Sequence, residues 1–383
     1  MTFDSESTAL PPTMRAAVLL GDEPRLELMR IPVPQPHEGE ALVRIGSCGV
    51  CHTDLHVMRG EVAFPRPAVL GHEISGTIVV LGPGTVDSGG LDVGDPVVGA
   101  FIMPCTTCAA CRAGRDDLCK AFFDQNRLNG TLYDGESRLR LPDGGFLAMY
   151  SIGGLAEYAV VPLSALTRAP VSLDRTAAAI LGCAAFTAYG AVVRAGQVER
   201  GDTVAVVAVG GVGSSIIQMA RAMGASRVIA VDIADDKLES ARRLGATDLV
   251  NSRSGDAVAQ VRELTDGVGV AVAFEALGNP VTFQQAVGLL ADGGRMVAVG
   301  ISAGNTAAEV PITPLVRRGY TLTGSFGART RVDLPEVVRL AEHGDFDVAG
   351  MVTRRFALDD VDAAYQALAR GEITGRAVID MSL

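Results

Sequence analysis

Four of the seven cysteines in this chain of 383 residues, Cys105, Cys108, Cys111 and Cys119, fall within the single run CTTCAACRAGRDDLC. Their spacing, Cys-x2-Cys-x2-Cys-x7-Cys, gathers four thiolates on one lobe, enough to close a tetrahedral zinc site with Zn–S near ~2.3 Å. Disulfide, redox and iron–sulfur uses compete for such a cluster. The long last spacing and the missing Cys-Pro ending fit a ferredoxin-type cluster poorly, and an intracellular chain keeps its thiols reduced. Zinc is the expected occupant. With four protein ligands it has no position left for substrate, so it should hold a loop rather than do chemistry.

A second set of chemistry-bearing residues is dispersed. CGVCHTDLH carries Cys51, His52, Thr53, Asp54 and His56, LGHEISG carries His72 and Glu73, and LGCAAFTAYG carries Cys183 and Thr187. Singly these are ordinary: a Cys usually packs in a core, and a Gly-His-Glu triplet often forms a turn. Together, Cys51, His72 and Cys183 offer three protein ligands and leave a fourth position open, which is what a catalytic metal requires.

The third set is AVGGVGSS, residues 208–215, with Gly210, Gly211, Val212 and Gly213. It follows the apolar run TVAVVAV, opens into a helical pattern, and is followed by an acid, Asp232, at the end of RVIAVD. Glycines there let the backbone approach a pyrophosphate, the helix start supplies free N–H groups, and the acid can accept both ribose hydroxyls. Ala208 replaces the first glycine of the usual fingerprint, an exchange that costs little if its φ is negative. The competing reading of Asp232 is a cap on the following helix.

These residues need elements to hold them. The first half is a series of short apolar runs broken by Gly and Pro, RAAVLL, ALVRIGSCGV, GTIVVLG, DPVVGAF and GLAEYAVVP, which reads as a small β-barrel. From about Thr187 strands alternate with Ala- and Leu-rich helical stretches, the pattern of a doubly wound parallel sheet. After about Ser325 come two amphipathic helices, LPEVVRLAEHG and DVDAAYQALARG, and a last strand, RAVIDM. The expected fold class is α/β. A formal net charge of −11 repels phosphate backbones and argues against nucleic acid. No apolar run approaches the roughly 20 residues that cross a bilayer, so no membrane is expected. MTFDSESTALPPT reads as a frayed tail rather than a leader, which makes the cytoplasm the expected location.

The combination of GVCHTDLH, GHEISG, the cysteine lobe, the Cys183 segment, GGVG and GSFGARTRVDL resembles the zinc-containing alcohol dehydrogenases of the medium-chain dehydrogenase/reductase superfamily, from about Met14 to Met381. The resemblance implies a GroES-like β-barrel catalytic domain built from residues 1–184 and 326–383, with a Rossmann cofactor domain over 185–325 and the active site between them. It implies two zinc ions per chain, one on the four lobe cysteines and one on Cys51, His72 and Cys183, the latter with water or substrate fourth. Glu73 would sit behind that metal and exchange onto it, and Asp54 would be the partner of His72, with turn capping as its alternative role. Protons would leave through Thr53 and the cofactor ribose to His56.

For the cofactor, the resemblance puts His52 by the pyrophosphate, Thr187 and Val212 behind the nicotinamide, Lys237 at a ribose, and Val299 and Ile301 along the same cleft. Asp232, followed by no Arg, favours NAD over NADP. Val62, Phe101, Met149, Tyr150 and Ile301 would line an apolar pocket suited to a primary alcohol, aliphatic or aromatic, oxidised to its aldehyde. A polyol or secondary-alcohol dehydrogenase is the alternative, disfavoured by Cys183; a catalytically silent nucleotide-binding relative would be expected to lose the metal residues. A glutathione-adduct formaldehyde dehydrogenase is a further variant, whose expected Arg is missing from CKAFFDQ. The long segment Asp124 to Gly154 resembles the dimeric members, so a homodimer through strands such as YTLTG is expected, with a tetramer as the alternative.

Overall fold

The computed structural model describes residues 10–86, 88–302, 304 and 306–383, so the tail expectation for residues 1–9 lies outside the described residues. Short β-branched runs separated by turns form two sheets in the first half. One has five strands in the order Leu26–Pro32, Thr13–Leu19, Ala68–Val69, Phe146–Met149, Leu139–Arg140. The other runs Leu166–Arg168, Pro96–Gly99, Ile74–Leu81, Glu40–Val50, Arg376–Asp380, Val352–Phe356, with Tyr158–Pro162 also pairing to Glu40–Val50. The end of the chain therefore returns to the beginning: Ala377 to Asp380 pair antiparallel with Ser47 to Val50, one residue before Cys51.

Between these stretches lies a parallel sheet of six strands in the order Asp248–Asn251, Arg227–Asp232, Thr203–Val207, Val270–Glu275, Leu290–Ala298, Thr321–Gly324. Alternate residues of one strand enter different cores. Val204 and Val206 join the cluster that continues into the barrel, whereas Ala205 and Val207 join a second cluster on the opposite face. Both faces are covered, as a parallel sheet with helical crossovers requires.

The expectation that no apolar run approaches the length of a bilayer span does not hold for one stretch. Ala177–Ala195 forms a continuous helical stretch of 19 residues with mean hydropathy 1.5, long and apolar enough by itself to cross a membrane. It passes instead through the core, 89% buried, which is why it is apolar on all sides. The stretch is not uniform: a 3₁₀ segment, Ala177–Gly182, gives way to the α-helix Ala184–Tyr189 at Cys183, whose φ −132° and ψ −73° break the ladder. The break is what turns that thiol out of the helix run.

Candidate active site

Donor atoms of Cys51, His72, Glu73 and Cys183 all lie within 4.8 Å of one another, and all four residues are buried. Three separate elements supply them. Cys51 is the N-cap of the short helix His52–Met58, His72 and Glu73 directly precede the strand Ile74–Leu81, and Cys183 sits at the helix break. The Nε2 of His72 and the Oε2 of Glu73 are buried with no hydrogen-bond partner. Orphaned donors and acceptors of this kind are expensive unless something binds them, and two thiols with an imidazole are a zinc donor set.

The far side of His72 is fixed. Its Nδ1 lies 3.0 Å from Asp54 Oδ1, which also accepts the Gly71 N–H at 3.2 Å, while Asp54 Oδ2 accepts the Tyr365 hydroxyl at 2.9 Å. Asp54 is fully buried and faces the imidazole rather than capping a turn. Burial opposes protonation of His72, but the carboxylate of Asp54 and the thiolate of Cys51 outweigh it and push the ring up to about 10. Cys183 shares a proton with Cys51, which holds Cys51 well below the usual thiol range and Cys183 well above it. A divalent cation displaces those protons and compensates the negative charge.

Arg376 is a site residue that the sequence reading missed. It opens the last strand, is buried, and its Nη2 donates to Glu73 Oε1. Burial pushes the Glu73 carboxyl up to about 7 although Arg376 pulls it down. The same guanidinium leans over the cofactor turn, so that a Cβ on Gly211 would meet its Cδ and Nη1 at 2.9 Å. A charged residue at the start of a strand that is otherwise buried, RAVIDM, was the available signal.

On the helix beside Cys51, the Thr53 hydroxyl stands 3.6 Å from Cys51 Sγ. His56 is half-buried and its Nδ1 pairs with Glu61, a partner not foreseen in the sequence. His52 is exposed at the helix start, its ring centre 6.5 Å from that of His56.

In the lobe, the Sγ atoms of Cys105, Cys108, Cys111 and Cys119 likewise lie within 4.8 Å of one another. Backbone N–H groups of Cys105 and Phe122 donate to Cys119 Sγ at 3.3 and 3.5 Å, and that of Cys108 to Cys105 Sγ at 3.3 Å. Hydrogen bonds, from the Cys111 N–H first, bring Cys108 down to about 6, whereas burial pushes Cys111 and Cys119 up. The four thiols do not ionise together unaided, so this set too fits a zinc ion. Arg331 pins the lobe to the helix Thr330–Glu342: its Nη2 donates to Cys111 O and to buried Asp116, each at 2.7 Å.

At the cofactor turn, Gly210 is the N-cap of the helix Gly211–Ala222. A Cβ on Gly213 would fall 2.1 Å from Ala208 O, so this glycine is required by the close approach of turn and helix. Ala208 departs from expectation: its φ is +71°, the left-handed region that a side chain disfavours. Asp232 is buried and accepts N–H bonds from Val209 at 2.9 Å, Ile233 at 2.7 Å and Ala234 at 3.1 Å. It does not cap the next helix, Asp235–Arg243, whose N-cap is Ala234. Lys237 on that helix and Val212 are half-buried, Thr187 and Val299 are buried, and Ile301 is 62% exposed.

Next to His72, Phe101 and Tyr150 stand edge-on to the imidazole with ring centres 6.1 and 6.4 Å away. Met149 is buried and Val62 is exposed.

Comparison with known proteins agrees with this architecture. Residues 37–171 match the alcohol dehydrogenase GroES-like domain and residues 211–343 the zinc-binding dehydrogenase family. The chain is 33% identical to S-(hydroxymethyl)glutathione dehydrogenase of Synechocystis sp., over 94% of this chain and 97% of that one. Among solved structures, benzyl alcohol dehydrogenase from Acinetobacter calcoaceticus superposes with a TM-score of 0.89 at 32% identity, covering 96% of this chain and 99% of the other. An alcohol dehydrogenase zinc-binding domain protein from Burkholderia ambifaria gives 0.90 at 31%, covering 96% and 98%. With its two zinc donor sets and parallel-sheet cofactor fold, the chain belongs to the zinc-dependent alcohol dehydrogenases of the medium-chain dehydrogenase/reductase superfamily.

Proposed function

We propose that this chain interconverts a primary alcohol and its aldehyde with NAD, and that it works as a homodimer. The observation that carries the reading is the convergence of Cys51, His72 and Cys183 around the unpartnered His72 Nε2. Zinc held by those three residues supplies a Lewis acid that makes the alcohol easier to deprotonate, and NAD on the glycine turn supplies the hydride acceptor. With NAD bound, each alcohol oxidised would yield one hydride to the cofactor and one proton to solvent.

The protein's own groups divide the remaining work. Thr53, with its hydroxyl 3.6 Å from Cys51 Sγ, takes the alcohol proton, and His56 passes it to water, steadied by Glu61. Asp54 fixes the tautomer and orientation of His72. Arg376 joins Glu73 to the Gly211 turn, so it offers a cation where the cofactor pyrophosphate would lie. Asp232 has its carboxylate oriented by three backbone N–H groups, leaving further lone pairs for ribose hydroxyls. His52, Lys237, Thr187, Val212, Val299 and Ile301 complete the cofactor contacts. The strand Thr321–Gly324, at one end of the parallel sheet, is the edge through which two copies would join.

A second reading, oxidation of a glutathione adduct, is favoured by the name of the Synechocystis relative. The aromatic walls Phe101 and Tyr150 favour a compact, partly apolar alcohol instead. A panel of benzyl alcohol, hexan-1-ol, sorbitol and S-(hydroxymethyl)glutathione with NAD and NADP tests this. The two primary alcohols with NAD should exceed the others in kcat/KM by about tenfold or more. Preference for the glutathione adduct would contradict it.

A further inference from the structure

The cysteine lobe runs on into a π-helical turn, Phe122–Arg127, a rare form that concentrates at functional positions. Its last two residues clamp Tyr150. Asn126 is fully buried, and its Nδ2 donates to the carbonyls of Met149 at 3.4 Å and Ser151 at 3.1 Å, the residues on either side of the tyrosine. Ser151 is held at φ +54°, a left-handed conformation that persists only where the surroundings enforce it. The guanidinium carbon of Arg127 lies 4.1 Å from the centre of the Tyr150 ring.

Two donors in this cluster have nothing to bind. Arg127 Nη1 and the Tyr150 hydroxyl are both buried without a hydrogen-bond partner, and Arg127 makes no ion pair among the described residues. Leaving donors in this state is unfavourable, and the chain, with its net charge of −11, has no shortage of carboxylates that could have been placed there. A guanidinium fork next to a phenolic O–H is complementary to a carboxylate. The same Tyr150 ring stands edge-on to His72, with ring centres 6.4 Å apart, and packs against Phe64, with ring centres 4.9 Å apart, so one ring links the donor cluster to a candidate metal ligand.

We infer that Arg127 and Tyr150 form an anion-recognising subsite, and that the alcohol oxidised by this chain carries a carboxylate across a short chain or ring from its hydroxymethyl group. The inference rests on the zinc oxidoreductase reading and names its substrate class. The hydroxyl end meets the metal, the apolar middle lies against Phe64 and Phe101, and the carboxylate reaches Arg127. Because Nη1 is buried beside a ring that touches the metal ligand, the subsite suits a compact hydroxy acid.

The test compares 4-(hydroxymethyl)benzoate with benzyl alcohol on the zinc-loaded protein with NAD. The kcat/KM ratio should favour the acid by about tenfold or more, fall by about tenfold in Arg127→Met, and be recovered only in part in Arg127→Lys, which keeps the charge but loses the planar fork. A wild-type ratio near one, or a ratio that Arg127→Met does not move, overturns the inference. Calorimetric binding of 4-methylbenzoate, which has nothing to oxidise, separates this from the reading beneath it. The inference requires binding that Arg127→Met weakens about tenfold even if neither alcohol is turned over. Alcohol oxidation without that binding overturns the subsite and leaves the oxidoreductase standing.

Discussion

Asp54 and Ala208 mark the two ways in which single residues here carry more than their type suggests. Asp54 lies three residues beyond Cys51 in sequence, but only the fold brings it to His72 Nδ1 at 3.0 Å, with Tyr365 locking its other oxygen. Removing its charge in Asp54→Asn leaves the ring less basic and free to turn, so zinc affinity should fall ~10- to 100-fold. Dialysis against a chelator followed by metal analysis reads this; an unchanged affinity would contradict the role. Ala208 is the reverse case, a residue whose cost is visible only in the structure. Its φ of +71° means that Ala208→Gly should stabilise the protein by about 1 kcal/mol, seen as a higher Tm without cofactor. A lower Tm would show that the left-handed backbone is not the controlling term. Arg376 and Arg127 escaped the sequence reading because a lone Arg beside a strand or at a turn is ordinarily a solvated surface residue.

At the level of elements, most of what positions the chemistry was legible. The runs around Arg227–Asp232 and Gly211–Ala222 show apolar periodicity strong enough to give strand, turn and helix in order, and the cysteine spacing defines its lobe without any tertiary information. Asp248–Asn251 and Ala257–Leu264 were not foreseen, since DLVN is short and the helix AVAQVREL mixes charges into its pattern. The helical stretch 177–195 was underestimated because Cys183 and two glycines interrupt a run that packing nonetheless makes continuous. The Arg331–Asp116 pair ties the lobe to the helix Thr330–Glu342, and a zinc on its four cysteines would hold it from within. Cys111→Ser should therefore lower folded yield and Tm far more than it lowers kcat in the protein that survives, because a structural zinc contributes folding free energy directly. Equal losses in wild-type-like, fully folded protein would place this cluster in the chemistry instead.

Over the whole molecule, the two halves meet where the last strand returns to Cys51 and where the buried helical stretch delivers Cys183. Sequence texture located the change to alternating strands and helices, whereas the return of Arg376–Asp380 to the strand Glu40–Val50 came only from family resemblance. No local pattern encodes a pairing between Cys48 and Ile379. Three candidate ligands from three distant segments therefore converge only in the folded chain, and the proposed chemistry requires that they hold a catalytic zinc. The most direct measurement is zinc content and alcohol oxidation in wild type and Cys183→Ala, with NADH binding followed in parallel. Wild type should hold two zinc ions per chain, and Cys183→Ala should keep the lobe ion, lose the other together with alcohol oxidation, and bind NADH nearly as before. Alcohol oxidation that persists in protein stripped of that second zinc would contradict the account.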